Sequence, residues 1–225
     1  MAAKKGFFIV LEGPDRSGKS TQADLLKEWF ENRNKKVLMT REPGGTRLSE
    51  EIRKLLLNPK NFITALAELF LYEAARAQHT AEKILPALKR GEIVISDRFT
   101  MATVAYQGYG RKIGLEIIKK LNRIATCGLK PDLNIVFTMP DSEFDKRRRT
   151  RLGFIKETPD RIEKENNAFR RRVNTAYRKI ALKEKNILKI DATGKIGEIS
   201  SAIRNAIIKK MNPVRFRRTR WKSQI

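Results

Sequence analysis

The sequence predicts an α/β protein with a five-stranded parallel sheet between two layers of helices. Five short apolar segments, each too short for a helix and bounded by turn or charged residues, are hydrophobic continuously rather than in alternation, as strands covered on both faces are. Longer helical stretches lie between them, which is the order of a doubly wound sheet. At 225 residues the chain fits a single core, so one domain over residues 1–211 is expected, followed by a basic tail at 212–225.

The elements follow in chain order. Phe7 to Glu12 is the first expected strand, and Ser20 to Asn32 is a helix entered through a glycine-containing turn. Lys36 to Thr40 is the second strand, after which Arg41 and a Pro43-Gly44-Gly45 turn let the chain reverse into a helix from Thr46 to Leu57. A long helix is expected from Ala65 to Lys89. The third strand, Glu92 to Ser96, runs into Asp97-Arg98-Phe99, and a helix from Leu115 to Thr126 precedes the fourth strand, Asp132 to Thr138. Next come the charged run Asp145 to Arg151 and a loop from Gly153 to Pro159, read together as a helical and loop lid over about 145–163. A helix from Arg161 to Glu184, a fifth strand from Ile187 to Asp191 and a helix from Ile196 to Met211 complete the domain.

Composition limits the functional classes. Hydrophobic residues make up 40% of the chain, in runs too short to span a bilayer, and the N-terminal residues lack a signal-peptide core. Cys127 is the only cysteine, so an intrachain disulfide is impossible and a reducing cytoplasm is expected. Lysine and arginine number 49 against 25 acidic residues, a formal charge of +24, which favours polyanionic partners, whether phosphates or nucleic acid.

Chemistry should gather beyond the carboxyl ends of the strands. After the first strand, Gly13-Pro14-Asp15-Arg16-Ser17-Gly18-Lys19-Ser20-Thr21 fits G-x-x-x-x-G-K-[ST], with the strand before it and the helix after it that the motif requires. The glycines let backbone N–H groups wrap a phosphate chain while the following helix directs its positive end at the same point. Lys19 is expected to hold the β- and γ-phosphates of a nucleoside triphosphate, and Ser20 to ligate Mg²⁺. The loop by itself does not separate ATP from GTP.

A phosphotransferase needs a second anion site within reach of the γ-phosphate. Arg41 and Arg98 both end strands on the edge that carries the loop, and a guanidinium fork matches phosphate geometry. Arg76 is expected to complete that cluster, and Tyr72, four residues before it on the same helix face, to offer an aromatic surface for a base. Asp97 is expected to support magnesium through water. His79 is read as structural or solvated. The lid is expected to bring arginines to the transferring phosphoryl group and to exclude water.

On these motifs the sequence resembles the thymidylate kinase family of P-loop nucleoside monophosphate kinases from about Phe8 to Ile203. The carrying segments are Glu12 to Thr21, Arg41-Glu42-Pro43-Gly44-Gly45, Tyr72 to Gln78, Asp97-Arg98-Phe99, Ala105 to Gly110, Pro131-Asp132, Asp160-Arg161-Ile162-Glu163 and Ile190 to Thr193. The resemblance implies transfer of the γ-phosphoryl group of ATP to dTMP, giving dTDP for DNA precursor supply, in a homodimer. It implies that Asp15 lies by the acceptor sugar, that Arg41 and Arg98 hold its phosphate, and that Tyr72, Arg76, Thr103 and Gln107 line the base pocket. Tyr72 replaces the usual phenylalanine, and Ala102 stands where many members have a small polar residue. Family members carry either a phosphate-loop arginine or a basic lid, whereas this chain has both, so Arg16 and the lid pair Arg149 and Arg151 are all candidates to neutralise the transferring group.

Two other readings stay open from sequence: a deoxynucleoside monophosphate kinase with a broader acceptor range that includes dUMP, and a nucleic-acid-associated P-loop ATPase. The tail, with Phe216 and Trp221 among arginines and lysines, is read either as disordered or as a binder of single-stranded nucleic acid.

Overall fold

The computed structural model describes residues 6–154, 159–183 and 186–211, with the side chains of 148–154 and 183 excepted. The expectation for the tail at 212–225 lies outside the described residues. Strands form at Phe7–Glu12 (β1), Val37–Arg41 (β2), Ile93–Asp97 (β3), Leu133–Thr138 (β4) and Ile187–Asp191 (β5), within a residue of the expected bounds. All pair in parallel, in the order β2-β3-β1-β4-β5.

The continuous hydrophobicity of β1 reflects its central place. Ile9 and Leu11 face Leu26 and Phe30 of α1 (Lys19–Glu31) and Ile203 and Ile207 of α9 (Ile196–Met211). Phe8 and Val10 point to the other layer, against Ile84, Ala87 and Phe99. Burying each of these side chains contributes about 1.5–3 kcal/mol, and both faces of the strand do so. The chain leaves β1 toward β2 on one side and β4 toward β5 on the other. The carboxyl ends of β1 and β4 therefore open a crevice, and the glycine loop lies there. Gly13, at φ 145°, is required at that point, because a Cβ would come within 2.7 Å of the Phe137 carbonyl oxygen.

Between β2 and β3 run α2 (Arg47–Leu57) and α3 (Ala65–His79). Thr46 caps α2, its hydroxyl accepting from the Ser49 N–H. The single helix expected over Ala65 to Lys89 is helical throughout but changes pitch. A π-helical turn over Thr80–Ile84 separates α3 from α4 (Leu85–Lys89), because Pro86 lacks an N–H and its ring crowds the preceding turn.

Three other segments depart from expectation. A helical element absent from the sequence reading runs from α5 (Thr100–Thr103) through a π-helical Val104–Gly110 before α6 (Leu115–Ala125). Its glycines hid it: Gly108 and Gly110 are poor helix formers, and they are small because Leu115 and Phe169 would collide with any Cβ. The charged run after β4 forms α7 (Asp141–Phe154), so the expected loop begins later than Gly153. The helix expected from Arg161 starts at Asn167 (α8, Asn167–Lys183). Asp160 and Glu163 instead exchange side-chain to backbone hydrogen bonds, closing a separate turn, and Asn166 then accepts from the Phe169 N–H to begin the helix. No helix among the described residues is long and apolar enough to cross a membrane.

Candidate active site

The phosphate loop joins β1 to α1, with Gly18 in the left-handed conformation (φ 87°) before Lys19. The Lys19 ammonium is buried and donates to the carbonyls of Gly13 and Pro14 at 3.2 and 2.9 Å. Burial, then the neighbouring charge of Arg98, lower its pKa from the usual lysine value, so an anion at this point would be strongly favoured. Ser17 Oγ is buried in the loop without a hydrogen-bond partner among the described residues.

Arg98 reaches the loop from the end of β3, in a left-handed backbone conformation (φ 71°). Its guanidinium donates to the Gly13 carbonyl at 3.1 Å, to Tyr177 Oη at 2.9 Å, to Asp15 Oδ1 at 2.6 Å and to Tyr106 Oη at 3.0 Å. Lys19 and Arg98 thus converge on one carbonyl oxygen. Partial desolvation pushes the half-exposed Asp15 carboxyl up, but the charges of Arg98 and Lys19 and hydrogen bonds from Arg98 and Tyr106 outweigh it and hold the pKa down at about 2. Asp15 is therefore ionised at neutral pH.

Sequence reading did not single out the chemistry of Glu12. Its buried carboxyl accepts from the N–H groups of Phe99 and Ala102 at 2.8 and 3.3 Å and from Tyr177 Oη at 3.2 Å, fixing the turn that carries Arg98. Burial pushes its pKa up to about 7, with Arg98 and these hydrogen bonds opposing. A carboxylate at the end of an otherwise apolar strand was the available signal.

A cleft of about 640 Å³ opens beside Arg98, and Asp15, Tyr72, Arg76, Thr103 and Gln107 all line it. It shares Asp15, Tyr106, Ile162 and Glu163 with a second chamber of about 910 Å³ between the phosphate loop, α7 and α8. Burial raises the Tyr72 phenol well above its usual pKa, and its hydroxyl makes no hydrogen bond among the described residues. Arg76 is 2% exposed and donates to Glu42, Glu73, Thr103, Asn122 and the Phe99 carbonyl. The protein's own oxygens thus engage Arg76 at the wall of the cleft that Arg98 also lines. His79 is wholly buried, and bridges Glu42 and Thr40 at 3.0 and 2.6 Å.

Arg41 does not line the cleft. Its side chain is 57% exposed and pairs with Glu50 at 3.1 Å, because Glu50 in the first turn of α2 also accepts the Gly45 N–H and draws Arg41 to the outer side of the Pro-Gly-Gly turn. Arg53 lines the cleft in its stead, donating to the Pro43 carbonyl at 2.9 Å. Ser49, Arg53 and Leu56 share one face of α2, and an arginine on that otherwise inward face was the signal that sequence reading missed.

On the lid side, Arg16 (φ 65°) pairs with Glu163 at 3.6 Å, and its Nε is buried without a partner among the described residues. Arg147, part of the expected lid run, donates to the carbonyls of Arg16 and Ala192 at 3.2 and 2.7 Å, pinning α7 to the phosphate loop and to the chain after β5. The side chains of Arg149 and Arg151 lie outside the described residues.

No group of three or more metal-binding His, Cys, Asp or Glu side chains occurs among the described residues. The residues present nevertheless fit a magnesium ion that draws its other ligands from phosphate and water. Asp97 Oδ1 is buried at the end of β3 without a partner among the described residues, and Ser20 lies exposed in the first turn of α1.

A glycine loop on a strand-to-helix turn, with a second cleft carrying Arg53 and Arg98 opening beside it at the same sheet edge, defines a class of enzyme, the P-loop phosphotransferases. The comparisons with known proteins narrow it. The family model described as thymidylate kinase matches residues 11–203. A thymidylate kinase of Pelotomaculum thermopropionicum is 49% identical over 178 residues, covering 79% of this chain and 81% of that protein. One from Prochlorococcus marinus (strain MIT 9301) is 44% identical over 211 residues, covering 91% and 96%. The crystal structure of thymidylate kinase from Ehrlichia chaffeensis superposes with a TM-score of 0.72 at 31% identity, covering 90% of this chain and 98% of that one. The chain belongs to the thymidylate kinase family. A nucleic-acid-associated ATPase is not favoured.

Proposed function

We propose that this enzyme transfers the γ-phosphoryl group of ATP to dTMP, giving dTDP and ADP. The observation that carries the reading is the convergence of Lys19 and Arg98 on the Gly13 carbonyl, which sets the donor and acceptor cations side by side.

In the mechanism, an oxygen of the acceptor phosphate attacks the γ-phosphorus as the bond to the β,γ-bridging oxygen breaks. Lys19 and the loop N–H groups follow the charge on the donor phosphates. Arg98 and Arg53 hold the acceptor phosphate, and ionised Asp15 accepts a hydrogen bond from the sugar. Tyr72 stacks on the base, with Arg76, Thr103 and Gln107 at its edge. Arg16 and the lid arginines Arg149 and Arg151 are the candidates to neutralise the transferring group, and Arg147 anchors α7 to the loop. Ser20 and, through water, Asp97 would hold Mg²⁺, which would supply positive charge to offset that of the phosphates. Closing the lid keeps water from the γ-phosphate.

Homodimerisation is supported by exposed apolar side chains on α2, α3 and α6, including Leu48, Leu55, Leu66, Phe70 and Ile124. A cytoplasmic setting is supported by the single cysteine. The reaction is tested by ADP release with dTMP, dUMP, UMP, CMP and no acceptor. The fastest turnover is expected with dTMP and background without acceptor; equal ADP release in every tube would refute the assignment.

A further inference from the structure

Glu68 of α3 is wholly buried and lies outside the machinery described above, yet it receives three hydrogen bonds and an ion pair from three residues elsewhere in the chain. Its Oε1 accepts from Gln107 Nε2 at 2.8 Å and Arg111 Nε at 3.0 Å. Its Oε2 accepts from Arg111 Nη2 at 2.9 Å and pairs with Arg161 Nη1 at 2.6 Å. Arg161 is itself fastened, its Nε donating to the Leu56 carbonyl at 2.7 Å and its backbone N–H to the Leu57 carbonyl at 3.0 Å. Burial raises the Glu68 carboxyl, but the hydrogen bonds from Arg111 and Gln107 and the charges of Arg111 and Arg161 more than offset it and keep the pKa low. Glu68 is therefore a fixed, ionised, acceptor-only group.

That fixes something about its neighbour. A side-chain amide has one acceptor end and one donor end, and against an ionised carboxylate only the NH₂ end can face inward. Gln107 lines the acceptor cleft, so turning its nitrogen toward Glu68 leaves the carbonyl oxygen as what the amide offers a ligand. Thymine and uracil carry an imino N–H at ring position 3, whereas cytosine has an unprotonated nitrogen there, itself an acceptor. A buried amide held in one orientation separates those two patterns, because the mismatched base leaves two acceptors facing each other.

We infer that Glu68 is a positioning residue for acceptor choice, one that locks the Gln107 amide so that the enzyme favours a pyrimidine bearing an imino N–H over cytosine. The inference rests on the reading above that the base of the acceptor lies beside Gln107.

The test measures kcat/KM with dTMP and with dCMP for the native chain and for Glu68→Gln, with thermal melting as the check on folding. An amide at position 68 can donate or accept, so Gln107 is released to turn either way. The dTMP to dCMP ratio is expected to fall about tenfold, and not to invert, because Arg76 is donor-only and still prefers a carbonyl. A purely structural loss would lower both substrates together and leave the ratio in place. In a Gln107→Leu background, Glu68→Gln should move the ratio by less than about twofold, since the group it acts through is gone. Should Glu68→Gln fail to fold for want of charge opposite Arg111 and Arg161, Glu68→Asp keeps the charge, withdraws it from Gln107 by one methylene and should produce the same fall. An unchanged ratio in a folded Glu68 variant overturns the inference, as does a full-sized fall without Gln107. A native chain inactive on dTMP would overturn the proposed reaction instead.

Discussion

The acceptor wall and the phosphate loop are built on opposite principles. Along the wall, charged groups are matched by the protein's own partners: the Arg76 guanidinium by oxygens of Glu42, Glu73, Thr103, Asn122 and Phe99, and the Glu68 carboxylate by nitrogens of Gln107, Arg111 and Arg161. Glu73 Oε2 and Arg161 Nη2 are unpartnered there among the described residues. Around the loop the matching is incomplete. Among the described residues, Ser17 Oγ, Asp97 Oδ1 and Arg16 Nε are buried without partners, and Lys19 donates to carbonyls. A saturated network in a low dielectric is rigid and shapes a pocket before any ligand enters, whereas unsatisfied polar atoms are costly until something charged completes them. The base side is thus organised for selection and the loop side for charge stabilisation.

That contrast can be broken most sharply at Lys19. Lys19→Ala is expected to lower kcat about a thousandfold or more while leaving the melting temperature near the native value, because the side chain serves charge that develops in the reaction. A large loss of stability with modest loss of turnover would place Lys19 among the structural groups instead.

Arg98 touches both regions, and Arg98→Ala should lower kcat/KM for dTMP about 10²- to 10³-fold. Arg53→Ala should act chiefly on KM for dTMP. Steady-state kinetics on the two variants decides whether the cleft arginines divide the work in this way.

Glu12 sharpens the comparison through pH. Its pKa rises on folding from 4.5 to about 7, so the folded state favours the protonated form. The stability it contributes is fully present below pH 4.5 and is lost as pH rises through 7, by about 3 kcal/mol at the order-of-magnitude level. Glu12→Gln should flatten that part of the stability profile, measured by denaturant unfolding between pH 4.5 and 8. An unchanged slope would mean that Glu12 is ionised in the fold as it is in the unfolded chain.

The smallest effect is expected at Arg41. As an exposed residue paired to Glu50 outside the cleft, Arg41→Ala should change kcat/KM for dTMP less than about twofold, the opposite of Arg98. A loss comparable to that of Arg98→Ala would restore Arg41 to the acceptor phosphate.

What the sequence determined by itself is the local part. Continuous apolar runs located all five strands, because a strand covered on both faces has no polar register to keep. The glycine loop was legible because its phosphate-binding geometry is made by consecutive residues, and Arg98 because it directly follows a strand. Only the tertiary structure decided how side chains far apart in the chain are shared out. Arg76 and Arg41 both stood near the expected site, but Glu42 and Asn122 claim one and Glu50 the other, while Arg53 takes the cleft. Glu12 finds Tyr177 165 residues away, and Glu68 finds Gln107 39 residues away. Hydrogen bonding depends on where atoms converge in space, and nothing in the spacing of residues along the chain encodes which of several nearby arginines a buried carboxylate will hold.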